Sequence, residues 1–452
     1  MRLRKTITTI VATAILLAGW QLFAVIANQP ELIPSLPRLV RTLCEWLVSG
    51  SFYQSVGATI LRGVLGMSIS FVCAIGMAGL FARFEWVYEL FRPLLAIMRS
   101  IPVISFILLA LIFLNPESIP LMIAFLTMFP LLTENLTRGI LDLRPGLSIM
   151  ARQFHIKRSN VLFQIIYPQL KPFLYSGLAS AAGFGWRAII MGEVLSQCAF
   201  GIGSEMKRAQ NFISVPELLA WTIVAVFISF FFDKGISKVA DITPKISFAN
   251  EDQTIPTPTL SVLDTKDISY QYGIQHFSHS FQKGIIYGIS APSGKGKTTL
   301  LNLIGGILLP TEGEIHPTRH FGIATIFQQP QLLPHLTAEE NIILPLSSFL
   351  TEEKARRIAQ KHLQEIEMEP FGNRYPKELS YGQQQRIAIA RALAYPSPLL
   401  LMDEPFKGLD EALSHRIIER IREKQMKEER IILFTSHNPD EIRLLADEVI
   451  YL

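Results

Sequence analysis

The residues of this chain whose types and spacing most directly imply chemistry run Ser290-Ala291-Pro292-Ser293-Gly294-Lys295-Gly296-Lys297-Thr298-Thr299. An apolar run at 284–289 precedes them and reads as a strand, and residues 300–304 open a helix. Strand, small-residue loop and helix is the setting of a phosphate-binding loop. Successive backbone N–H groups can curl into a nest at the helix N-terminus, where the helix dipole favours negative charge. Ser293, Gly294, Lys295, Gly296, Lys297, Thr298 and Thr299 form that candidate cradle. Lys297 can reach terminal phosphates, and Thr298 can place its hydroxyl on Mg²⁺. The loop departs once from G-x-x-x-x-G-K-[ST], with Ala291 in place of the first glycine. The competing reading is a plain surface turn, because Gly-Lys-Thr runs also arise by chance.

Such a loop needs an α/β scaffold, yet only part of the 452-residue chain has that character. Half of the residues are hydrophobic (49%) and the mean hydropathy is positive. The length suits two or three domains. Long charge-poor stretches lie before about residue 235, and the remainder has an ordinary globular composition. A net charge of +4 is too small to indicate nucleic acid as a partner. Cys44, Cys73 and Cys198 have no metal-ligand spacing. A Cys44–Cys198 bridge is conceivable, and free thiols are the simpler expectation.

Six apolar stretches, at 7–27, 60–82, 94–114, 119–136, 173–195 and 218–232, read as membrane crossings. A hydrocarbon core of ~30 Å takes ~20 helical residues. Val25-Ile26-Ala27 could pass as a signal-peptide cleavage site, but the spans that follow favour retention of the first stretch. Arg2, Arg4 and Lys5 precede the first span, Arg83 and Arg92 follow the second, and Arg138, Arg144, Arg152, Lys157, Arg158 and Lys171 crowd the loop after the fourth. The positive-inside rule then places both ends of the membrane part in the cytoplasm, where ATP is found.

The basic inner loop at 145–172 carries Met150, Phe154, Val161 and Ile165 at helical spacing. It reads either as an amphipathic helix on the membrane surface or as a coupling segment that docks on the cytoplasmic part. Ile33-Pro34-Ser35-Leu36-Pro37, Arg99-Ser100-Ile101-Pro102, Gly185-Trp186-Arg187, Gly192-Glu193-Val194 and Gly201-Ile202-Gly203 add further landmarks. In these stretches the sequence resembles permeases of binding-protein-dependent ABC importers, of the nitrate, sulfonate and taurine group. The match to that family's inner loop is degenerate: His155 stands at its glycine position, Ala151 alone survives of its EAA triplet, and Tyr167-Pro168 replaces its Leu-Pro pair. Arg187 and Glu193 are ionisable residues in an apolar span, and such groups usually face a cavity or each other. They read as part of an anion-attracting pathway or as a structural pair.

Residues 237–258 read as a polar linker, and a second domain begins at 259. Beyond the phosphate loop come Ile326-Phe327-Gln328, Leu379-Ser380-Tyr381-Gly382-Gln383, Leu399-Leu400-Leu401-Met402-Asp403-Glu404, Phe406-Lys407-Gly408-Leu409-Asp410 and Ser436-His437. In order and spacing these resemble the Q-loop, signature, Walker B strand, D-loop and switch histidine of ABC ATPases, with Tyr381 in place of the signature's first glycine. The resemblance implies that Tyr272 stacks on adenine, and that Ser380, Gly382, Gln383 and Asp410 complete a nucleotide site. It further implies Mg²⁺ held by Thr298, Asp403 and Gln328, with Glu404 as general base and His437 against the γ-phosphate. The chain's end soon after the final strand implies that the regulatory extension of some relatives is lacking.

The expected protein is therefore multidomain: an all-α polytopic membrane domain of six helices (1–236), a linker (237–258), and a cytoplasmic α/β P-loop ATPase domain of ABC type (259–452). The resemblance implies half of an importer in a bacterial plasma membrane, working as a homodimer in lipid and served by a separate extracytoplasmic binding protein. ATP and Mg²⁺ are its expected cofactors, and its cargo a small solute, with anions such as sulfonates and nitrate among the family's substrates. Rival readings are an ABC exporter half-transporter, whose helices would run further into the cytoplasm, and a membrane-tethered ATPase that signals without transport, which would want a folded outer domain.

Overall fold

The computed structural model describes residues 2–240, 244–253, 260–271, 273–292, 294–317 and 321–452. They form two compact units, Met1–Leu143 with Gln169–Ile242, and Arg144–Pro168 with Thr243–Leu452.

The first unit is helical: α1 (Arg2–Ala27), α2 (Leu36–Trp46), α3 (Gly50–Arg83), α4 (Glu85–Ser100), α5 (Val103–Phe113) and α6 (Ile119–Leu141). The chain leaves it for α7 (Pro145–Gln153) and the single turn α8 (Arg158–Asn160), then returns in α9 (Tyr167–Ser196), α10 (Ile202–Asn211) and α11 (Val215–Ala240). Small and polar residues make one face of α3: Ser55, Thr59, Gly63, Gly66, Ser70, Ala74 and Ala78 are all buried. Steps of three and four keep them on that face, and small residues let membrane helices approach closely. A Cβ at Gly66 would lie 2.6 Å from the Ala124 side chain of α6.

Among the described residues four helices are long and apolar enough to cross a membrane, or five if α4 and α5 count as one bent span. Six crossings are not confirmed: the apolar segment of α1, Val11–Ala27, is shorter than the rest. The expected span at 94–114 is broken by 95° between α4 and α5. Pro102 causes the break. It lacks an N–H, and it disfavours helical geometry at Ile101, whose backbone is extended.

The second unit holds a five-stranded sheet, order β5-β6-β7-β3-β8, and a three-stranded antiparallel sheet, order β2-β1-β4. Its strands are β1 (Val262–Tyr270), β2 (Ile274–Gln282), β3 (Ile286–Ser290), β4 (Glu312–His316), β5 (Ala324–Ile326), β6 (Leu399–Asp403), β7 (Ile431–Thr435) and β8 (Glu448–Tyr451). All pairings in the five-stranded sheet are parallel, and β6 and β7 are buried throughout. That burial explains their unbroken apolar sequences. Helices α12 (Lys297–Ile304), α13 (Ala338–Leu346), α14 (Glu352–Glu365), α15 (Tyr381–Ala394), α16 (Glu411–Glu428) and α17 (Pro439–Leu445) complete the unit. In a parallel sheet ligands bind beyond the carboxyl ends of the strands, and the ends of β3, β6 and β7 carry the residues singled out above.

Residues 144–168 belong to this second unit by their contacts, although they lie inside the stretch 1–236. Leu147, Met150, Phe154 and Ile165 share one core cluster with Ile326, Leu333, Tyr395 and Phe434. The α7 helix stops at Phe154 because His155 takes a left-handed backbone (φ +46°). A π-helical turn, Val161–Ile166, comes immediately before Tyr167-Pro168. Pro168 offers no N–H to the carbonyl four residues back, and the turn widens there. The expected linker is partly structured: α11 runs to Ala240, and Ala249 and Gln253 donate backbone N–H groups to Ser347 and Phe349 at 3.0 and 2.8 Å. Residues 241–243 and 254–258 of that stretch lie outside the described residues.

Candidate active site

The phosphate loop leaves β3 at Ser290 and enters α12 through Gly296. Gly294 and Gly296 have φ of +80° and +89°, a region glycine enters without penalty. A Cβ at Gly296 would come 2.7 Å from the Gly273 carbonyl, so side chains are excluded twice over. Ala291 is not among the positive-φ residues, so its position does not demand glycine. Its carbonyl accepts a hydrogen bond from the Lys297 ammonium at 2.7 Å. Lys295 is exposed, and Thr299 half-buried on the first turn of α12. Tyr272 and Ser293 lie outside the described residues.

Two acids close the site from β6. The Asp403 carboxylate accepts from Thr298 Oγ1 at 2.9 Å and from Thr435 Oγ1 at 2.8 Å. Burial pushes its carboxyl above the usual value, and those two hydroxyls offset part of the rise. Thr435 Oγ1 also accepts the Glu404 backbone N–H at 3.1 Å, so one hydroxyl orients both acids. Glu404 has φ +49°, a sparsely populated conformation that the surroundings must enforce. Its Oε1 meets His437 Nε2 at 2.9 Å and its Oε2 meets Lys407 Nζ at 3.2 Å. Burial raises the Glu404 carboxyl, but Lys407, His437 and the Gln328 side chain together hold it below its ordinary value. Lys297 Nζ lies 3.3 Å from His437 Nδ1. An ammonium only donates, which makes Nδ1 the acceptor and leaves Nε2–H to donate to Glu404.

A cavity of about 260 Å³ opens beside these groups, lined by Thr298, Gln328, Asp403, Asn302, Gly146 and Gln331 among others. No cluster of three or more His, Cys, Asp or Glu residues suited to a metal occurs among the described residues. One carboxylate and one hydroxyl still fit Mg²⁺, which keeps its waters and is usually held with substrate phosphates. Thr298 and Asp403 would be its ligands, with Gln328 at the cavity wall.

Ser380, Gly382 and Gln383 sit apart from this group at the start of α15, and no hydrogen bond links them to Lys297 or Asp403 among the described residues. Ser380 caps the helix, its hydroxyl accepting from Gln383 N at 3.3 Å while Gln383 Oε1 accepts from Ser380 N at 2.9 Å. A Cβ at Gly382 would fall 2.5 Å from the Gly408 carbonyl. Asp410 caps α16, accepting from Leu413 N at 2.9 Å. The start of α15 carries the positive end of its helix dipole.

Three residues escaped the sequence reading. Thr435 ends an apolar strand and looks like ordinary β filler, and Lys407 looks like a solvated turn residue. Arg391 is buried in α15 (1% exposed) and donates to the Pro330 and Gln331 carbonyls at 2.8 Å each. Its guanidinium also lies over the Phe154 ring at 5.4 Å from the centroid. Burial lowers its pKa to about 9. Nearby, a Cβ at Gly146 would lie 2.5 Å from Gln331 Oε1. The 144–168 loop thus touches the segment just after Gln328.

Two family profiles match: "ABC transporter" over residues 274–407 and "Binding-protein-dependent transport system inner membrane component" over 68–233. The thiamine import ATP-binding protein of Yersinia pseudotuberculosis is 34% identical over 205 residues, covering 42% of this chain and 86% of that protein. The chain belongs to the ABC transporter family. Its ABC ATPase part also resembles the Fe(3+) ions import ATP-binding protein of Rhizobium etli, 35% identical over 189 residues, covering 40% of this chain and 54% of the relative. The match thus spans only about half the length of that relative. Among solved structures, the dimeric post-hydrolysis state of the ATP-binding cassette MJ0796 with ADP and Pi aligns at 32% identity and a TM-score of 0.40, over 42% of this chain and 94% of that one. This ABC chain carries permease and ATPase matches in one polypeptide.

Proposed function

We propose that the chain is the fused permease and ATPase of an ABC importer, acting as a homodimer in a bacterial plasma membrane with both ends of the membrane part in the cytoplasm. A small solute would arrive on a separate extracytoplasmic binding protein. The observation that carries the reading is the 144–168 loop, which continues into helices of the permease-matched part on both sides yet buries its apolar face in the ATPase core. Relatives named as import ATP-binding proteins favour import over export.

In this reading Lys297 and the loop N–H groups hold the ATP phosphates, and Tyr272 stacks on adenine. Mg²⁺, when bound by Thr298 and Asp403, neutralises charge on the transferring phosphoryl group. Glu404 orients water and accepts its proton, and His437 bridges Lys297 and Glu404 from the γ-phosphate side. Ser380 and Gly382 meet the nucleotide of the other subunit. Closure on ATP moves the segment after Gln328, and that segment bears on the 144–168 loop.

Uptake by vesicles holding the purified chain tests the proposal, with candidate binding proteins and their solutes outside and ATP inside. Solute accumulation that requires ATP and the binding protein is expected. ATP-driven uptake into vesicles of the opposite orientation, or ATP hydrolysis indifferent to every binding protein, would overturn it. Mixed dimers test the shared sites. Lys297→Ala and Ser380→Asp, the latter a good helix cap that repels phosphate, each disable both sites as homodimers. Co-assembled, they should leave one site able to close on ATP.

A further inference from the structure

Tyr381 stands where the signature of ABC ATPases has its first glycine, and its side chain makes two contacts that glycine cannot. Its hydroxyl donates to the Gln328 backbone carbonyl at 2.9 Å, across 53 positions of sequence. Its ring covers the turn at Gly408, where an added Cβ would come 2.9 Å from Tyr381 Cδ1. The Gln328 side chain lines one cavity with Thr298 and with Asp403, the neighbour of Glu404, and it helps to hold the Glu404 carboxyl below its ordinary value. The start of α15 is thus tied by a hydrogen bond to the segment after β5, which shares that cavity with the end of β6.

We propose that Tyr381 is a positioning residue for Glu404. The hydroxyl anchors the backbone of Gln328, and the anchored side-chain amide holds the carboxylate at the angle from which it takes a proton from water. Tyr381 itself touches neither water nor phosphate. The inference rests on the proposed reading of Glu404 as general base. It adds a link between the two sites of the dimer: Ser380 and Gly382, on either side of Tyr381, face the other subunit's nucleotide, while Gln328 and Glu404 serve this subunit's own. A nucleotide settling on the signature of one subunit therefore bears on the base in the same chain.

The test is a double-mutant cycle on the full-length protein in lipid nanodiscs, following ATP hydrolysis at saturating and limiting ATP. Tyr381→Phe keeps the ring and removes only the hydroxyl. The loss of one such hydrogen bond should lower kcat about two- to tenfold, with half-saturating ATP and the melting temperature close to the parent's. Gln328→Ala should be slower still. Adding Tyr381→Phe to Gln328→Ala should change nothing more, because the hydroxyl acts through the amide that has been removed. Parental kcat for Tyr381→Phe would overturn the inference. So would a full further drop in the double variant, which would mean that Tyr381 acts by another route. Glu404→Gln separates the two levels: if that variant hydrolyses ATP at the parental rate, the reading of the site itself fails. If it is dead while Tyr381→Phe is normal, only the role of Tyr381 falls.

Discussion

Two carboxylates show how the same group is used for opposite ends. Glu193 in α9 is wholly buried and accepts from Arg62 Nη1 at 2.7 Å, Thr59 Oγ1 at 2.9 Å and Gly203 N at 2.9 Å. Arg62 goes on to Glu117 at 2.6 Å and the Phe200 carbonyl at 2.7 Å. That network ties α3, α9 and α10 together and leaves Glu193 no free face. Glu404 has a side chain 14% exposed, and its two ionic partners, His437 and Lys407, are half open to solvent at 53% and 51%. A buried charge with every partner fixed specifies a structure. A charge whose partners can move away can do chemistry. Arg187, expected as a possible partner of Glu193, is instead exposed in the single chain.

The largest effect that would break this contrast is expected from Glu404→Gln. ATP binding should survive while hydrolysis falls by about 10²–10⁴-fold, the usual worth of a general base. Its melting temperature should match the parent's, and a variant with parental turnover would show that the base lies elsewhere. Glu193→Ala should do the reverse. It removes the buried partner of Arg62 and leaves that charge only the exposed Glu117; breaking a buried pair costs up to about 3–5 kcal/mol, so the membrane unit should melt below the parent in detergent. A variant of parental thermal stability would show that the Glu193 network is not structural.

Phe154→Asp buries a carboxylate against Ile326 and Tyr395 in place of a ring. Solute uptake should fall far more than ATP hydrolysis, as measured by the ratio of solute moved to ATP consumed. An unchanged ratio would deny the loop a coupling role. The smallest effect is expected from Lys407→Ala. Lys407 is one of the groups holding the Glu404 carboxyl down, so its loss lets that pKa rise. Glu404 then protonates sooner on acidification, and the acid limb of the hydrolysis profile should move to higher pH. A limb that stays put would mean His437 and Gln328 suffice to hold Glu404 ionised.

The ATPase fold is legible because its signals are local. β3, the glycine loop and α12 follow within one short stretch, and the acids sit at the end of an apolar run that only a buried parallel strand tolerates. Partners distant in sequence are not legible. Arg62 and Glu193 lie 131 positions apart, and nothing in the sequence around either points to the other. The break at Pro102 has a visible cause, but the composition of 94–114 is as uniform as that of a straight span. Helical spacing at Met150, Phe154 and Ile165 reveals an apolar face without saying whether lipid or protein covers it. The Tyr381 hydroxyl could be placed only once α15 and the segment after β5 were brought together.

The burial of the apolar face of residues 144–168 in the ATPase core has a consequence for how the chain is made. A ribosome adding roughly 5–20 residues per second emits this loop some ten to fifty seconds before the strands that cover it. During that interval the apolar face that carries Met150 and Phe154 is uncovered, and it lies between helices of the membrane part. Exposed apolar segments of nascent chains are where misassembly begins. A separate ATPase subunit would have to find the loop by diffusion, whereas here the cover is tethered to it and arrives at high effective concentration. Joining the two parts in one polypeptide thus shortens the most vulnerable stage of biogenesis.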